Sequence, residues 1–552
     1  MDLELRFWER NAVFLYQKNQ NQQGTQILTL WYGFRHSLLI LVYKLISKIM
    51  PQQIDDLRAI GSNFKLLLNN NEYPCIILPQ EPHVVYEYDH PKVIGYLYGE
   101  YAKFQEIKSE KQTKILTRKH VSDYLDYLKG KIHKEAKQAK VWLRCGKEGK
   151  NYYYDLGNGK DVIKINKKEI CFIDKPEIYF KRETKFQKPQ VLPDLKTPPE
   201  YLFNLFNYVN VKNKPHQILL LSYLVALLDP EINKFMLYLQ GVPGSAKSTS
   251  LRFLRSLIDP CIDTSNVLSD GGLVNFKHSD TGIFQQTNIH YCLFYDDIAY
   301  FSKNDQKIMA KIITGIVDNQ RELYTTNSQV LYDLKPCFAL NGINLYITTG
   351  DLLERTLIIE IDRIDNDHDK RESDLWQEFQ LDKSKLFGSL INTFHLALST
   401  KVNFNPDIRI RMRDYANFMA KIAKVLGVNE SEFFDYLKKN ITTQDDQAIE
   451  FSPVGRTFLE LMKAKENYFG YSKDFFKLLK DNLPEDIKVG NRADEFPSSL
   501  AKFGQAFKKI IVNLSNKGFS IKKTHRENGS YYNITKFAFK LNKEEEDDEL
   551  PI

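Results

Sequence analysis

Lys247, Ser248, Asp296, Asp297, Asn341 and Arg355 are of the types, and come in the order, that phosphoryl chemistry uses. The stretch Gly241, Val242, Pro243, Gly244, Ser245, Ala246, Lys247, Ser248, Thr249 has the G-x-x-x-x-G-K-S spacing of a phosphate-cradling loop, except that alanine precedes the lysine. In such a loop the glycines let successive backbone N–H groups face the β-phosphate. The lysine reaches the β- and γ-phosphates, and the next hydroxyl ligates Mg²⁺. ATP and Mg²⁺ are therefore the expected ligands of residues 241–249. A methyl at Ala246 is tolerable if the residue keeps a negative φ, and Gly244 preserves flexibility in mid-loop. Asp296 would hold Mg²⁺ through water, and Asp297 would orient or deprotonate the attacking water. Asn341 would bridge the γ-phosphate and that water.

Strands must deliver these groups. Met236 to Gln240 is an apolar run feeding the loop, and the helical pattern from Lys247 to Ile258 aims its N-terminal dipole at the phosphates. His290 to Tyr295 is apolar and ends in the two aspartates, as a core strand does when it presents acids at the carboxyl edge of a parallel sheet. Pro336 to Leu340 ends in Asn341, and Thr356 to Ile361 is entered directly from Arg355. Loop, acid pair, amide and arginine follow one another within about 115 residues.

The 552 residues suffice for three or four domains, with 43% hydrophobic and 27% charged content, as in a soluble globular protein. The net charge of +7 is concentrated: residues 101–190 carry 23 Lys/Arg against 12 Asp/Glu, and residues 497–540 carry nine against one. Two basic blocks flanking a less basic middle suit a polyanion gripped on either side. Cys75, Cys145, Cys171, Cys261, Cys292 and Cys337 form no C-x-x-C pair, which argues for a reducing cytoplasm and against structural zinc. The apolar stretch from Ser37 to Ile46 is too short to span a bilayer, so no membrane association is expected.

The spacing predicts a helical N-terminal region over 1–75 and a basic mixed α/β domain over 76–190, with a helix from Lys119 to Lys140. Residues 1–190 show no Asp-x-Asp pair on an expected strand and no zinc knuckle, so primer synthesis is not expected of this chain. Pro176, Pro189, Pro193, Pro198 and Pro199 mark a linker into an ATPase domain over 191–400, closed by a helix from Leu375 to Leu398. Between the acid pair and Asn341, a helix from about Asp305 to Val317 precedes alternating residues from Arg321 to Tyr332, read as a hairpin around Asn327 and Ser328. Arg321, Thr326, Asn327 and Ser328 are its candidate nucleic-acid contacts.

A helical connector is expected over 401–450, and a three-helix module with a two-stranded wing over 451–542. Its helices run from Pro453 to Lys463, Ser472 to Asp481 and Ser498 to Asn516; its wing strands run from Phe519 to Thr524 and Tyr531 to Ile534. Lys502, Lys508, Lys509, Lys522, Lys523 and Arg526 decorate the last helix and wing, the pattern of a winged helix with a helix for the major groove and a wing for phosphates. The tail 543–552 carries six consecutive carboxylates and ends Leu550, Pro551, Ile552, resembling the acidic tip of bacterial single-strand-binding proteins. Such a tail either docks a replication partner or covers the chain's own basic groove.

The order of loop, acid pair, helix, hairpin, amide and arginine resembles AAA+ helicases of superfamily III. More closely, it is similar to the ATP-binding replication proteins of phages, prophages and plasmids, called primase-helicase-like or MCM-like. The matching text is GVPGSAKST from Gly241, LRSLIDP from Leu254, Thr314-Gly315, RELYT from Arg321, LNGI from Leu340 and GDLLERTLIIE from Gly350. Alanine before the loop lysine is familiar in that family, whereas Asp-Asn is usual where this chain has Asp296-Asp297. The resemblance implies an AAA+ P-loop core in a homo-oligomer, a hexameric ring, with ATP hydrolysed between subunits. Arg355 is then the finger supplied to a neighbour's γ-phosphate, or else a local ion pair with Glu354 or Asp351, and Asn341 is the sensor. The hairpin would line a channel for DNA, although its tip lacks the family's lysine and histidine.

The expectation is an α/β protein acting as a DNA-dependent ATPase: a replicative helicase or initiator of a mobile element, working on single-stranded or forked DNA. Two rivals stand beside it. One is a translocase on double-stranded DNA for packaging or segregation; the other is a DNA-binding regulator switched by ATP with negligible turnover.

Overall fold

A computed structural model describes residues 52–108, 115–182, 185–298, 301–315, 319–321, 329–331, 335–342, 347, 349–363, 370–403, 405, 410–490, 492, 495–527 and 529–536. The chain is mixed α/β and divides into two compact units.

In the smaller unit, helix α1 (Gln52–Gly61), strand β1 (Pro74–Ile77), α2 (Pro91–Lys108) and α3 (Arg118–Glu135) build one small core. Val121, Tyr124, Leu125, Leu128 and Ile132 recur at helical spacing and are all buried. Gly61 lets the chain pass the Tyr124 hydroxyl, which a Cβ would overlap. The expected helix to Lys140 stops at Glu135, and Lys137 and Gln138 form a short strand instead.

The larger unit contains an antiparallel meander of β2 (Cys145–Glu148), β3 (Asn151–Asp155), β4 (Val162–Ile165) and β5 (Ile170–Ile173). Its inward residues Cys145, Tyr154, Ile163 and Ile165 share one continuous core with residues between Leu202 and Leu437. Of the segment 76–190, then, part lies in the smaller unit and 143–165 packs on the larger unit's central sheet. Nor is the proline-rich stretch a loose tether. Gln190 is buried and donates to the carbonyls of Ser256 and Leu257, because proline fixes an extended backbone without detaching it from what lies beneath.

Helix α4 (Lys214–Ala226), buried over most of its length, leads into β6 (Met236–Gln240) and α5 (Lys247–Ile258). Then come β7 (Cys292–Tyr295), α6 (Lys303–Ile313), the antiparallel pair β8 (Asn319–Arg321) and β9 (Gln329–Leu331), and β10 (Cys337–Gly342). The short α7 (Gly350–Leu353) precedes β11 (Thr356–Glu360). The sheet order is β7-β10-β6-β11, all parallel, and these strands are buried almost without interruption. The expected helix to Val317 ends at Ile313, and the residues between β8 and β9, with Thr326, Asn327 and Ser328, lie outside the described residues.

Helices α8 (Glu372–Ser399), α9 (Arg413–Val425) and α10 (Glu430–Glu450) cover the sheet and share its core. From α10, Asn440 donates to the Ile358 carbonyl and accepts the Ile358 N–H at 3.2 Å. Gln444 donates to the Thr356 carbonyl, and Gln447 to Gln240 Oε1 at 2.7 Å. Side-chain amides thus stand in for a neighbouring strand along the outer edge of β11.

A separate core is built by α11 (Pro453–Ala464), β12 (Asn467–Tyr471), α12 (Ser472–Asp481), α13 (Leu500–Asn516), β13 (Phe519–Arg526) and β14 (Gly529–Lys536). Phe458, Phe475, Phe503 and Phe507 pack at its centre. The sheet has order β12-β14-β13, one strand more than the expected wing. The acidic tail and residues 1–51 lie outside the described residues.

Candidate functional site

The loop after β6 is shaped by Gly241, where a Cβ would lie 2.7 Å from both the Ile361 carbonyl oxygen and Ser245 Oγ. Val242, Pro243 and Gly244 are exposed, Gly244 has φ +77°, and Ser245 is buried beneath them. Ala246 does not meet the condition of negative φ: it sits in the left-handed region at φ +56°, ψ 31°, as the N-cap of α5. That conformation turns the chain abruptly from loop into helix, and the Ala246 carbonyl accepts the Ser250 N–H at 2.8 Å. A non-glycine residue held there costs about 1–2 kcal/mol.

Lys247 opens α5, and its ammonium donates to the Val242 carbonyl at 2.8 Å, folding back over the exposed loop. Burial lowers its pKa from the ordinary lysine value, against the pull of Asp297 and Asp296. Thr249 is half-buried in the same turn.

Three side chains meet beside it. Ser248 Oγ donates to Asp296 Oδ1 at 2.6 Å; Asn341 Nδ2 donates to the same carboxylate oxygen at 2.8 Å and to Ser248 Oγ at 3.1 Å. The parallel sheet causes this convergence. Tyr295 pairs with Leu340, and Leu239 with Asn341, so the ends of β7, β10 and β6 stand side by side. Arg252, one helical turn after Ser248, lies 3.9 Å from Asp296 Oδ2 and 3.1 Å from Asp263. The sequence reading missed it, though its i+4 spacing from Ser248 was a usable signal.

Arg355 is elsewhere in character. It is 5% exposed, and its guanidinium bonds the carboxylate and carbonyl of Asp351, which also pairs with Arg411 at 3.2 Å.

Residues 201–438 match the model of a family described as actinomycete integrative conjugative element replication protein. Over that span the chain is similar to replication proteins of a mobile element. The matched span holds the whole cluster around Ser248 and ends inside α10, before the C-terminal three-helix module. No curated protein matches the chain. Among solved structures, the A-form apo structure of the NrS-1 C-terminal region has 11% identity and a TM-score of 0.34, with 87% of this chain and 97% of that one covered. The apo structure of NrS-1 residues 305–718 has 10% identity and a TM-score of 0.33, with 88% and 100% covered. Scores of this size fix neither fold nor function.

Of the candidate DNA contacts, Lys502, Lys508 and Lys509 are exposed on α13, and Lys522, Lys523 and Arg526 are exposed on β13. The Arg526 guanidinium lies 3.7 Å from the centre of the Tyr531 ring, and Lys523 lies 5.7 Å from that of Tyr532. The far end of α13 is taken. Asn513 and Asn516 both donate to Asp445 of α10 at 2.8 Å, and Lys517 pairs with Asp446. The basic residues Lys502, Lys508 and Lys509 lie before this tied end. Arg321 ends β8, and no helix among the described residues is long and apolar enough to cross a membrane.

Proposed function

We propose that this chain is an ATP-driven DNA motor, a DNA-dependent ATPase and helicase that serves replication of a mobile element as a ring-shaped homo-oligomer. The observation that carries the reading is the meeting of Ser248, Asp296 and Asn341 within hydrogen-bond distance, beside the Lys247 loop. We read that assembly as an AAA+ P-loop core and the C-terminal module as a winged helix. One hydroxyl and one carboxylate 2.6 Å apart fit Mg²⁺, which takes few protein oxygens and fills its octahedron from water and phosphate. When bound, Mg²⁺ neutralises charge on the β- and γ-phosphates.

The protein's own groups do the rest. Lys247 exchanges the Val242 carbonyl for phosphate oxygens, while the N–H groups of the loop and of the first turn of α5 cradle the β-phosphate. Asp297 orients or deprotonates the attacking water from a backbone position held by Asn341. Arg355 of a neighbouring subunit stabilises charge on the transferred phosphoryl group. The basic faces of α13 and β13 hold DNA.

The test is ATP hydrolysis with and without single-stranded DNA, with Lys247→Ala as control. Stimulation by DNA that is lost in the variant supports the motor; flat turnover alongside tight ATP binding overturns it. One observation favours a second reading. Arg355, buried against its own helix, is what a regulator with ATP as an assembly switch would show. Unwinding of a forked duplex separates the two.

A further inference from the structure

We propose that Lys303 and Lys307 of α6 join Lys502 and Lys509 of α13 in one site for the phosphate backbone of DNA, so that the motor and the C-terminal module grip the same strand. The proposal rests on the functional reading above and adds residues of the motor itself to the DNA surface.

Lys303, Lys502, Lys509 and Arg492 line one open cleft of about 300 Å³ between the start of α6 and the exposed part of α13. The carboxylate in its lining is Glu495, whose Oε2 accepts the Arg492 N–H at 2.8 Å. Among the described residues, no carboxylate pairs with Lys303, Lys307 or Lys509. The nearest acid on α6, Asp305, is 2% exposed and already caps the helix through the Ser302 N–H at 3.0 Å while meeting His278 at 3.0 Å.

The placement of these lysines is unfavourable for a free protein. Lys303 and Lys307 are one turn apart on a single helix, where like charges repel. Lys303 also occupies the first turn, where the helix dipole favours an anion. Across the cleft, Lys509 is lowered from the ordinary lysine pKa by burial and then by Lys303 and Lys307. A cluster of cations from two elements, gathered in a concavity, gains free energy when a polyanion releases its own counterions there. A solvated lysine face would spread the same charges outward.

The test uses the full-length chain and a fluorescent oligothymidylate, with the dissociation constant measured over a range of salt. Every lysine removed from the phosphates of a single strand takes about 0.7 off the slope of log affinity against log salt. Lys303→Gln with Lys307→Gln should therefore flatten the slope by about 1.4 and weaken binding at low salt about tenfold or more. Lys311→Gln, an exposed lysine on the last turn of the same helix, is the control and should leave the slope unchanged. ATP hydrolysis without DNA should be retained in all variants, which certifies the fold. If the wild type binds the oligonucleotide and the double variant binds with equal affinity and slope, this site is refuted while the motor survives. If the wild type binds no DNA, the functional reading falls and this site falls with it.

Discussion

Asp297 gives its backbone N–H to Asn341 Oδ1 at 2.7 Å, and does so from the left-handed region at φ +40°. The amide of Asn341 spends its other end on Asp296 and Ser248, so one side chain sets both acids relative to the hydroxyl. Asn341→Asp removes the donor and sets a carboxylate against Asp296. ATP turnover should fall by about 10²-fold or more with the fold intact, checked by steady-state hydrolysis and circular dichroism. Unchanged turnover would show that the amide does not organise the acids.

Ala246→Gly removes the left-handed strain at the loop. Relief of about 1–2 kcal/mol is partly offset by roughly 0.4–1 kcal/mol of added unfolded-chain entropy. Net stabilisation of about 1 kcal/mol or less should appear as a small upward shift in Tm, whereas Ala246→Val should lower Tm and weaken nucleotide binding.

The tie between Arg355 and Asp351 separates a finger from a local ion pair. For a finger, Arg355→Ala leaves nucleotide binding near normal while turnover drops about 10³-fold, and Asp351→Ala spares turnover because it frees the guanidinium. Mixing Arg355→Ala with Lys247→Ala subunits should restore some hydrolysis, since some interfaces then carry an intact loop and an intact arginine. Equal losses in both single variants, with no recovery on mixing, would leave only the ion pair.

His290 predicts an acid limb in stability. Burial, and then the neighbouring Arg255 guanidinium, push its pKa down to about 3 from 6.5. Arg255 contacts His290 Nδ1 at 3.2 Å, and since a guanidinium only donates, that nitrogen accepts and the ring is neutral. The unfolded chain takes up this proton near pH 6.5 and the folded chain resists until about 3. The stabilisation is therefore complete above 6.5 and lost progressively as pH falls between those values. At pH 4.5 the loss is roughly 3 kcal/mol. Urea unfolding at pH 7 and 4.5 should show it in the wild type and much less of it in His290→Gln, which keeps an acceptor for Arg255.

The strands carrying the candidate site were legible because each is an apolar run ending abruptly in a polar group, as at Tyr295-Asp296 and Leu340-Asn341. The helices from Pro453, Ser472 and Leu500 were legible from their caps and spacing. What escaped depended on partners distant in the chain. Asn440, Gln444 and Gln447 lie in the expected helical connector, and nothing local shows that they bond β11 and Gln240. Asn467 to Tyr471 was too short and too glycine-bearing to announce a strand, and becomes one through β14. The left-handed Ala246 goes against the residue's local preference, which no pattern in the sequence could disclose. The anchoring of the end of α13 was not legible either, because the Asp445 that receives Asn513 lies 68 residues before it.

The amides of α10 along β11 have a counterpart at the opposite margin of the sheet, where Val274 N–H donates to the Phe294 carbonyl at 2.9 Å and bridges β7 in parallel. Open strand edges are where sheets recruit foreign strands and begin to aggregate. Here one margin is sealed by side chains and the other by a single bridging residue. Along this sheet, side chains on one margin and a bridging backbone segment on the other leave less backbone for a foreign strand to pair with.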